Sequence, residues 1–389
     1  MDRRKFIASA ATALGLLSLG GTPLEAKDAV AASMTRWVVR SSVGFDAIAF
    51  LGPLSGAPLY TEYYADDVAA FAPRLPADVL DMLRKLWAAA QTDGYGLLGP
   101  NLQLLLSTDG NDRSVATLVA ALQDKETRIL PRYRQSQYWK AEDWDWFARA
   151  APQIATILSA IDKAGFASFW AERTAALEAR ISDVRRDLQS YDVIKWQEKL
   201  SGRSFDPTIE VVLLQFAKPH GIKVQGQTFL QSADYNTPTT VRIAAHEMLH
   251  PPFEKEGAAA KAALAALGAD TLMQKIVKDH DPRWGYTSLA GMLDEDLVQA
   301  LDQLISEALG VGRNPADRWR KSDDGMHVMA AGFYGLLREE RWIEKGGNIE
   351  NWLLDAAQHG KLAPATFHPC AARVLERSPD KLWPLPPQA

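Results

Sequence analysis

The spacing of hydrophobic positions indicates a chain that is helical over most of its length. From Ala77, apolar residues such as Val79 and Leu83 recur every three or four positions, which is typical of a helix with one buried face. The same period is found in two short segments, 102–106 and 115–122, in two long segments, 144–164 and 166–191, and from residue 258 onward. The sequence therefore predicts a mostly helical protein.

Residues 205–236 follow a different pattern, which is that of β-strands. The run at 209–216 is apolar and β-branched and is bounded by Pro207 and Pro219, as expected of a buried strand. The segment GQTFLQSADYN at 226–236 alternates loosely and ends in turn residues, which predicts a second strand. If that strand lies at an edge of a sheet, an extended peptide could pair with it. Nearer the N-terminus, TRWVVRSSV indicates a further short strand or extended stretch.

A helix is expected directly after these strands. The segment Thr237-Pro238-Thr239-Thr240 offers a threonine as the N-cap, and helical periodicity follows it. Two strands and a helix inside a helical chain predict an α+β fold that is predominantly helical, with a small β-sheet beside this helix. We expect residues 32–200 to form a mainly helical N-terminal region and residues 201–389 to form a second region, although no linker separates them.

Composition limits the partners and the kinds of metal site. The formal net charge of -5 and the isoelectric point near 5.9 give no electrostatic basis for binding nucleic acid or an anionic membrane. Cys370 is the single cysteine, so the chain has no internal disulfide and no four-cysteine zinc site. Any metal ion must therefore be held by histidine, aspartate and glutamate.

The first 31 residues predict an export signal. They have a basic start, an apolar stretch of alanine and leucine, and then small residues, with cleavage expected after Ala26 or Ala31. Arg3-Arg4 followed by Lys-Phe-Ile resembles the twin-arginine motif, whose substrates usually fold before they cross the membrane. No segment reaches the roughly 20 apolar residues of a membrane span. We expect a periplasmic or secreted protein without a transmembrane anchor after cleavage; an uncleaved N-terminal anchor is the alternative.

The segment TVRIAAHEMLHPPFEKEG at 240–257 contains the strongest candidate chemistry. Residues four apart share one face of a helix, so His246 and His250 can both bind one metal ion at about 2.0–2.1 Å. Glu247 is rotated from them by about 100° and can act as a general base instead of a ligand. Pro251 disfavours a helical conformation at His250 itself. The alternative is an ordinary helix with two packed or solvated histidines.

Through HEMLH the chain resembles the zincin metallopeptidases, which implies bound Zn²⁺ and a zincin-like catalytic core in 201–389. Metzincins continue to a glycine and a third histidine where this chain has Phe253 and Glu256, which excludes that branch. In gluzincins a glutamate of a later helix completes the site. The segment GMLDEDLVQALDQLISEALG resembles that helix and aligns the metal-binding glutamate with Glu295.

Other acidic residues remain candidates for the third ligand. They are Asp296, Glu307, Glu256 and the aspzincin-type Asp281. The acidic residues Asp294 and Asp296 also have a structural interpretation, in which they cap the helix and complement its dipole.

A hydrolytic site also requires a donor for the developing oxyanion. Asp323 and His327 resemble the Asp-His pair of thermolysin-type gluzincins, which implies that His327 serves as this donor. Tyr334 and Tyr286 are phenolic alternatives, and an interhelical or surface histidine is the alternative for His327. Tyr235 precedes the HExxH helix and could line a substrate groove.

These features predict an exported zinc metallohydrolase that acts on a peptide or protein substrate. Zn²⁺ would be held by His246, His250 and Glu295, and the predicted catalytic residues are Glu247, His327 and Tyr334. The competing interpretation is a non-catalytic or inactive zincin scaffold that recognises a peptide or a cell-wall glycan. No oligomeric state is predicted.

Overall fold

The computed structural model describes residues 34–107, 110–136, 138–281, 284 and 286–384. The predicted export signal at 1–31 lies outside these residues. The described residues are mostly helical and include one four-stranded mixed sheet, which confirms the predicted predominance of helix in an α+β protein. None of the described helices has the length and apolar character needed to cross a membrane.

The strands are β1 Arg36–Ser41, β2 Thr208–Leu214, β3 Gly221–Lys223 and β4 Thr228–Ser232. The first helices are α1 Val43–Leu54, α2 Pro58–Phe71, α3 Ala77–Thr92, α4 Leu98–Leu106, α5 Val115–Gln123, α6 Lys125–Arg128, α7 Leu130–Gln135, α8 Ala141–Lys163 and α9 Phe166–Arg173. The remaining helices are α10 Leu177–Leu188, α11 Val193–Ser201, α12 Thr237–Glu247, α13 Ala258–Gly268, α14 Thr271–Asp279, α15 Leu289–Ala308, α16 Pro315–Lys321, α17 Val328–Glu339, α18 Trp342–Lys345, α19 Ile349–Gln358 and α20 Pro364–Leu375.

The sheet has the strand order β1-β2-β4-β3. β2 is parallel to both β1 and β4, whereas β3 is antiparallel to β4. The strand predicted within 226–236 is therefore β4, but it is not an edge strand. Its residues 229–231 are paired on one side with β2 and on the other with β3, a strand of three residues that sequence periodicity does not reveal. β4 consequently has no open edge there for an extended peptide.

The sheet lies between two helical layers. Val212 and Leu214 of β2 belong to a core formed with α1–α9, while Val211 and Leu213 belong to a core formed with α10–α20. Because side chains alternate between the faces of a strand, a strand covered on both faces must be apolar on both, as β2 is from Val211 to Leu214. Helices α10 and α11 lie in the same layer as α12, and the division at residue 200 stays a prediction.

One of the two predicted long helices is interrupted. The segment 144–164 falls within the single helix α8, but 166–191 is divided into α9 and α10. At the break the Thr174 hydroxyl donates to the carbonyl oxygen of Trp170 at 2.7 Å, and the amide of Leu177 donates to the Thr174 carbonyl. Such local bonds compete with continuation of the helix.

Helix α12, which carries the HExxH motif, is attached to the sheet at its beginning and to α11 near its end. Its N-cap is Asn236, whose side-chain oxygen accepts a hydrogen bond from the amide of Thr239 at 3.0 Å. The predicted threonine cap is therefore wrong, because the asparagine one residue before Thr237 already binds a free amide of the first turn. Gln231 of β4 donates to the Thr240 hydroxyl at 2.8 Å. Gln197 of α11 donates to the last turns of α12.

Candidate metal centre

The structure brings His246, His250 and Glu295 together. Nε2 of His246 and Nε2 of His250 are 3.2 Å apart, and each lies 3.5 Å from one of the two Glu295 carboxylate oxygens. Donor atoms about 2.0–2.1 Å from a tetrahedral zinc ion lie about 3.3–3.4 Å from one another. The three separations are close to this value, and one ligand atom from each residue lies within 4.8 Å of the others, so the group could hold a metal ion.

The two histidines reach this arrangement from different backbone environments. α12 ends at Glu247, so His246 lies in the helix and His250 lies in the turn after it. A shared helical face therefore does not explain their proximity, in contrast to the prediction. Pro251 follows His250, and the predicted loss of helical conformation at that position is confirmed.

Glu295 is provided by α15, which crosses the core beside α12. This helix begins at Leu289, and the Ser288 hydroxyl caps it by accepting from the amide of Gly291 at 3.1 Å. Asp294 and Asp296 consequently lie beyond the first turn, and the interpretation that they cap the helix is wrong. They contact histidines instead: Asp294 lies near His250, and Asp296 lies at His327.

A buried carboxylate orients His246. Nδ1 of His246 lies 2.7 Å from Oδ2 of Asp302, and the same carboxylate is bound by Arg318, with Nη2 2.9 Å from Oδ2. Burial alone would raise the pKa of Asp302, but Arg318 and His246 outweigh it and lower that pKa. An ionised Asp302 holds the Nδ1 proton and leaves the Nε2 lone pair directed at the metal position.

Asp302 was missed by the sequence analysis although a signal for it exists. It stands seven residues after Glu295, two helical turns along the same face of α15. With that spacing, both residues can lie next to one histidine of another helix. The glutamate can then bind the same metal ion as the histidine, and the aspartate can accept the hydrogen bond from the other ring nitrogen of the histidine.

The group is electrostatically suited to a cation. Burial alone would lower the pKa of His250, but Asp294 and Glu295 outweigh it and raise that pKa to about 10. Burial alone would raise the pKa of Glu295, but His246, His250 and His327 lower it. One oxygen of Glu295 and one of Asp294 are buried and accept no hydrogen bond within the described residues. Buried carboxylate oxygens of this kind normally have a partner, and a metal ion would provide one.

Glu247 is buried beside the ligands without being one of the three. Burial raises the pKa of Glu247, and Glu295 adds to the rise. The neighbouring His246 and His250 lower that pKa, but the net pKa is raised. Lys223 of β3 lies on the same side, where its Nζ donates to the carbonyl oxygen of His250 at 3.1 Å. A carboxylate with a raised pKa is a better proton acceptor near neutral pH than an exposed one.

A cavity of about 630 Å³ gives access to the group. His246, Glu247 and Glu295 line it, together with Tyr235 and Asp323. Tyr235, predicted for a groove, is therefore at the cavity, and its hydroxyl donates to the carbonyl oxygen of Pro219 at 2.8 Å.

His327 forms the predicted pair with Asp323 but lies behind the cavity wall. Its Nε2 is 3.1 Å from Asp323 Oδ2, and its Nδ1 is 2.5 Å from Asp296 Oδ1. The ring is fully buried, and the two carboxylates outweigh the effect of burial and raise the pKa of His327 to about 10. Both ring nitrogens are thus engaged with protein groups, and Asp323 is the member of the pair that lines the cavity.

The structure does not bring Tyr334 to the metal group. Its hydroxyl donates to Glu307 at 2.7 Å, and Glu307 lies twelve residues after Glu295, about 18 Å along α15. Tyr286 is the phenol that is close: burial and the charge of Glu295 raise its pKa, and its ring packs edge-on against His327 at 5.9 Å between centroids.

The positions of the acidic alternatives also favour Glu295 as the third ligand. Asp296 is bound to His327, Glu307 to Tyr334, and Glu256 is exposed. Two imidazole nitrogens and one carboxylate leave a tetrahedral metal ion with an open position, which is the arrangement of catalytic zinc sites. Comparisons with known protein families, with curated proteins and with solved structures find no match to this chain.

Proposed function

We propose that this chain is a zinc-dependent metallohydrolase that cleaves peptide bonds, with a zincin-like core formed by the sheet, α12 and α15. The main support is the group of donor atoms from His246, His250 and Glu295, in which the two histidine nitrogens are 3.2 Å apart and each is 3.5 Å from one of the two Glu295 oxygens. Buried Asp302 supports His246 in the way that carboxylates support zinc-binding histidines.

The surrounding residues supply the remaining chemistry. Zinc, when bound, lowers the pKa of water and polarises a carbonyl group. Glu247 takes a proton from the attacking water while the water oxygen bonds to the carbonyl carbon of the substrate. The same proton then passes to the amide nitrogen as the C–N bond breaks, which returns Glu247 to its carboxylate form.

A peptide is the substrate that best fits the cavity. Its volume of about 630 Å³ is in the range of sites for ligands of a few residues, and polar and charged side chains line much of it. We also propose that the chain is exported, on the basis of the twin-arginine-type signal in residues 1–31.

The test compares Glu247→Gln with His246→Ala and the parent. Purified proteins are assayed for zinc by elemental analysis and for cleavage of a synthetic peptide mixture by mass spectrometry. Glu247→Gln should keep one zinc per chain but lose cleavage by about 10²- to 10⁴-fold, because glutamine cannot accept the proton. His246→Ala should lose zinc and activity together. Glu126→Gln, an exposed change on α6, is the matched control and should behave as the parent.

Two results would contradict the proposal. If Glu247→Gln cleaves as well as the parent, Glu247 is not the base and the mechanism is wrong. If the parent binds zinc but cleaves no peptide in the mixture, the competing interpretation of a binding scaffold is favoured.

A further inference from the structure

Arg242 and Arg313 line the cavity near His246, together with Arg318. Arg242 is four residues before His246 on α12, so both side chains leave the same face of the helix about one turn apart. Nη1 of Arg242 donates to the carbonyl oxygen of Val311 at 3.0 Å, and Nη2 donates to the Thr239 hydroxyl at 2.8 Å. The first bond holds the segment after α15 against α12, and that segment carries Arg313.

Arg313 differs from Arg318, on the same wall, in having no bonded counterion among the described residues. Among the described residues its guanidinium makes no hydrogen bond or ion pair, although the Arg313 backbone carbonyl accepts from Gln303 at 2.7 Å. Arg318, by contrast, is bound to Asp302 through both of its terminal nitrogens. Asp302 and Asp323 act on Arg313 only at longer range.

Arg313 is exposed to solvent where it lines the cavity, and Arg318 and Arg242 are its cationic neighbours. The carboxylates nearest to it are already engaged, Asp302 with Arg318 and His246 and Asp323 with His327. An anion that enters the cavity would therefore meet a guanidinium that none of the described protein groups occupies.

We propose that Arg313, placed by Arg242, binds a carboxylate of the substrate. A guanidinium matches a carboxylate through two parallel hydrogen bonds, which favours this anion over a neutral amide. The inference rests on the proposed function, since the carboxylate belongs to the peptide that is cut at the metal group. Arg242 is separated from His246 by one helical turn, about 5.4 Å, and one residue of an extended peptide spans about 3.3–3.6 Å. The carboxylate is thus placed about one or two residues from the cleaved bond.

Binding is measured separately from cleavage to test this subsite. Three peptides share one apolar sequence with a blocked N-terminus: one ends in a free carboxylate, one in an amide, and one in an amide with a glutamate near its C-terminus. Their dissociation constants are measured by calorimetry with zinc-loaded Glu247→Gln protein. The free acid or the glutamate peptide should bind about 10- to 100-fold more tightly than the neutral amide, as expected for charge-assisted hydrogen bonds. Tighter binding of the free acid would identify the C-terminal carboxylate as the bound group, and tighter binding of the glutamate peptide would identify an acidic side chain.

Substitution of Arg313 then tests whether this residue causes the preference for a carboxylate. Arg313→Ala and Arg313→Gln, each combined with Glu247→Gln, should bind all three peptides with nearly equal affinity. Arg84→Ala, an exposed change on α3, should keep the preference. Circular dichroism checks that each variant is folded, and the glutamine variant replaces the alanine variant if the latter is not.

The outcomes separate this inference from the proposed function. Equal affinity for the acidic and neutral peptides, or a preference that survives Arg313→Ala, overturns the subsite. A carboxylate preference that depends on Arg313 supports the subsite even if the parent cleaves none of the peptides, in which case the peptidase proposal alone is wrong. Cleavage by the parent without any carboxylate preference leaves the peptidase proposal intact and refutes the subsite.

Discussion

Replacement of Asp302 by asparagine tests whether a buried carboxylate sets the metal affinity of the site. The change keeps the size of the side chain and one acceptor oxygen but removes the charge. In the structure Asp302 Oδ2 lies 2.7 Å from His246 Nδ1 and 2.9 Å from Arg318 Nη2. Asparagine has one carbonyl oxygen for these two donors, so His246 becomes a weaker and less well oriented ligand.

The expected loss has two components. Substitution of a residue that supports a zinc-binding histidine typically reduces affinity about 10- to 100-fold, which is about 1.4–2.8 kcal/mol. In addition, Arg318 is buried and loses its carboxylate. Removal of one partner of a buried ion pair costs about 3–5 kcal/mol of unfolding free energy. Asparagine should cost less than this, because Arg318 keeps a hydrogen bond to Gln303 at 3.1 Å.

Zinc affinity is measured by competition with a chromogenic chelator, and stability by urea unfolding of the metal-free protein. Asp317→Asn is the matched control, because Asp317 is an exposed carboxylate that pairs with Lys321 at 2.9 Å. The control should leave zinc affinity unchanged and alter stability by less than about 1 kcal/mol. A folded Asp302→Asn protein whose zinc dissociation constant stays within twofold of the parent's would refute the proposed role of Asp302.

Three further outcomes are expected. Glu295→Gln should sharply reduce zinc content, because a neutral oxygen replaces an anionic one; retention of zinc there, with loss in Asp296→Asn, would show that the wrong ligand was assigned. Burial lowers the pKa of His220 to about 4, from 6.5 when unfolded. The stability present above pH 6.5 should therefore fall by up to about 3 kcal/mol as the pH drops to about 4; urea unfolding across this range should show the fall in the parent but not in His220→Asn. Replacement of Arg3-Arg4 by two lysines should retain precursor in the cytoplasm on cell fractionation, and unchanged export would exclude the twin-arginine route.

The helical part of the fold was predictable because its signal is local. The period of three to four residues that begins at Ala77 corresponds to α3, and the apolar run at 209–216 corresponds to β2. What the sequence did not reveal depends on distant partners. The position of β4 inside the sheet depends on β3, which has three residues and only becomes a strand by pairing. The break between α9 and α10 depends on a hydroxyl of Thr174 that can also be accommodated within a helix.

The same distinction applies to the candidate site. HExxH is a local pattern, and it identified His246 and His250, which the structure places with Glu295. The spacing of acidic residues on α15 was visible too, but which of them faces α12 depends on how the two helices cross. The pairing of His327 with Asp323 was predicted correctly from their spacing in the sequence. The second partner of His327, Asp296, was not predicted, because this contact depends on the packing of α17 against α15. Arg313 carried no local signal, because a cation without a counterion is recognisable only when its neighbours in space are known.

The parallel pairing of β1 with β2 has a consequence for the order in which the protein folds. Arg36 and Thr208 are adjacent in the sheet but 172 residues apart in sequence, and closing a loop of that length costs about 4–5 kcal/mol of chain entropy. Many contacts of α1–α9 are with one another, so we expect these helices to form before this closure. Gln231 of β4 donates to Thr240 of α12, so we expect the three donor atoms to converge only after the sheet has formed. A partly folded chain would then contain most of its helices without a site that can bind metal.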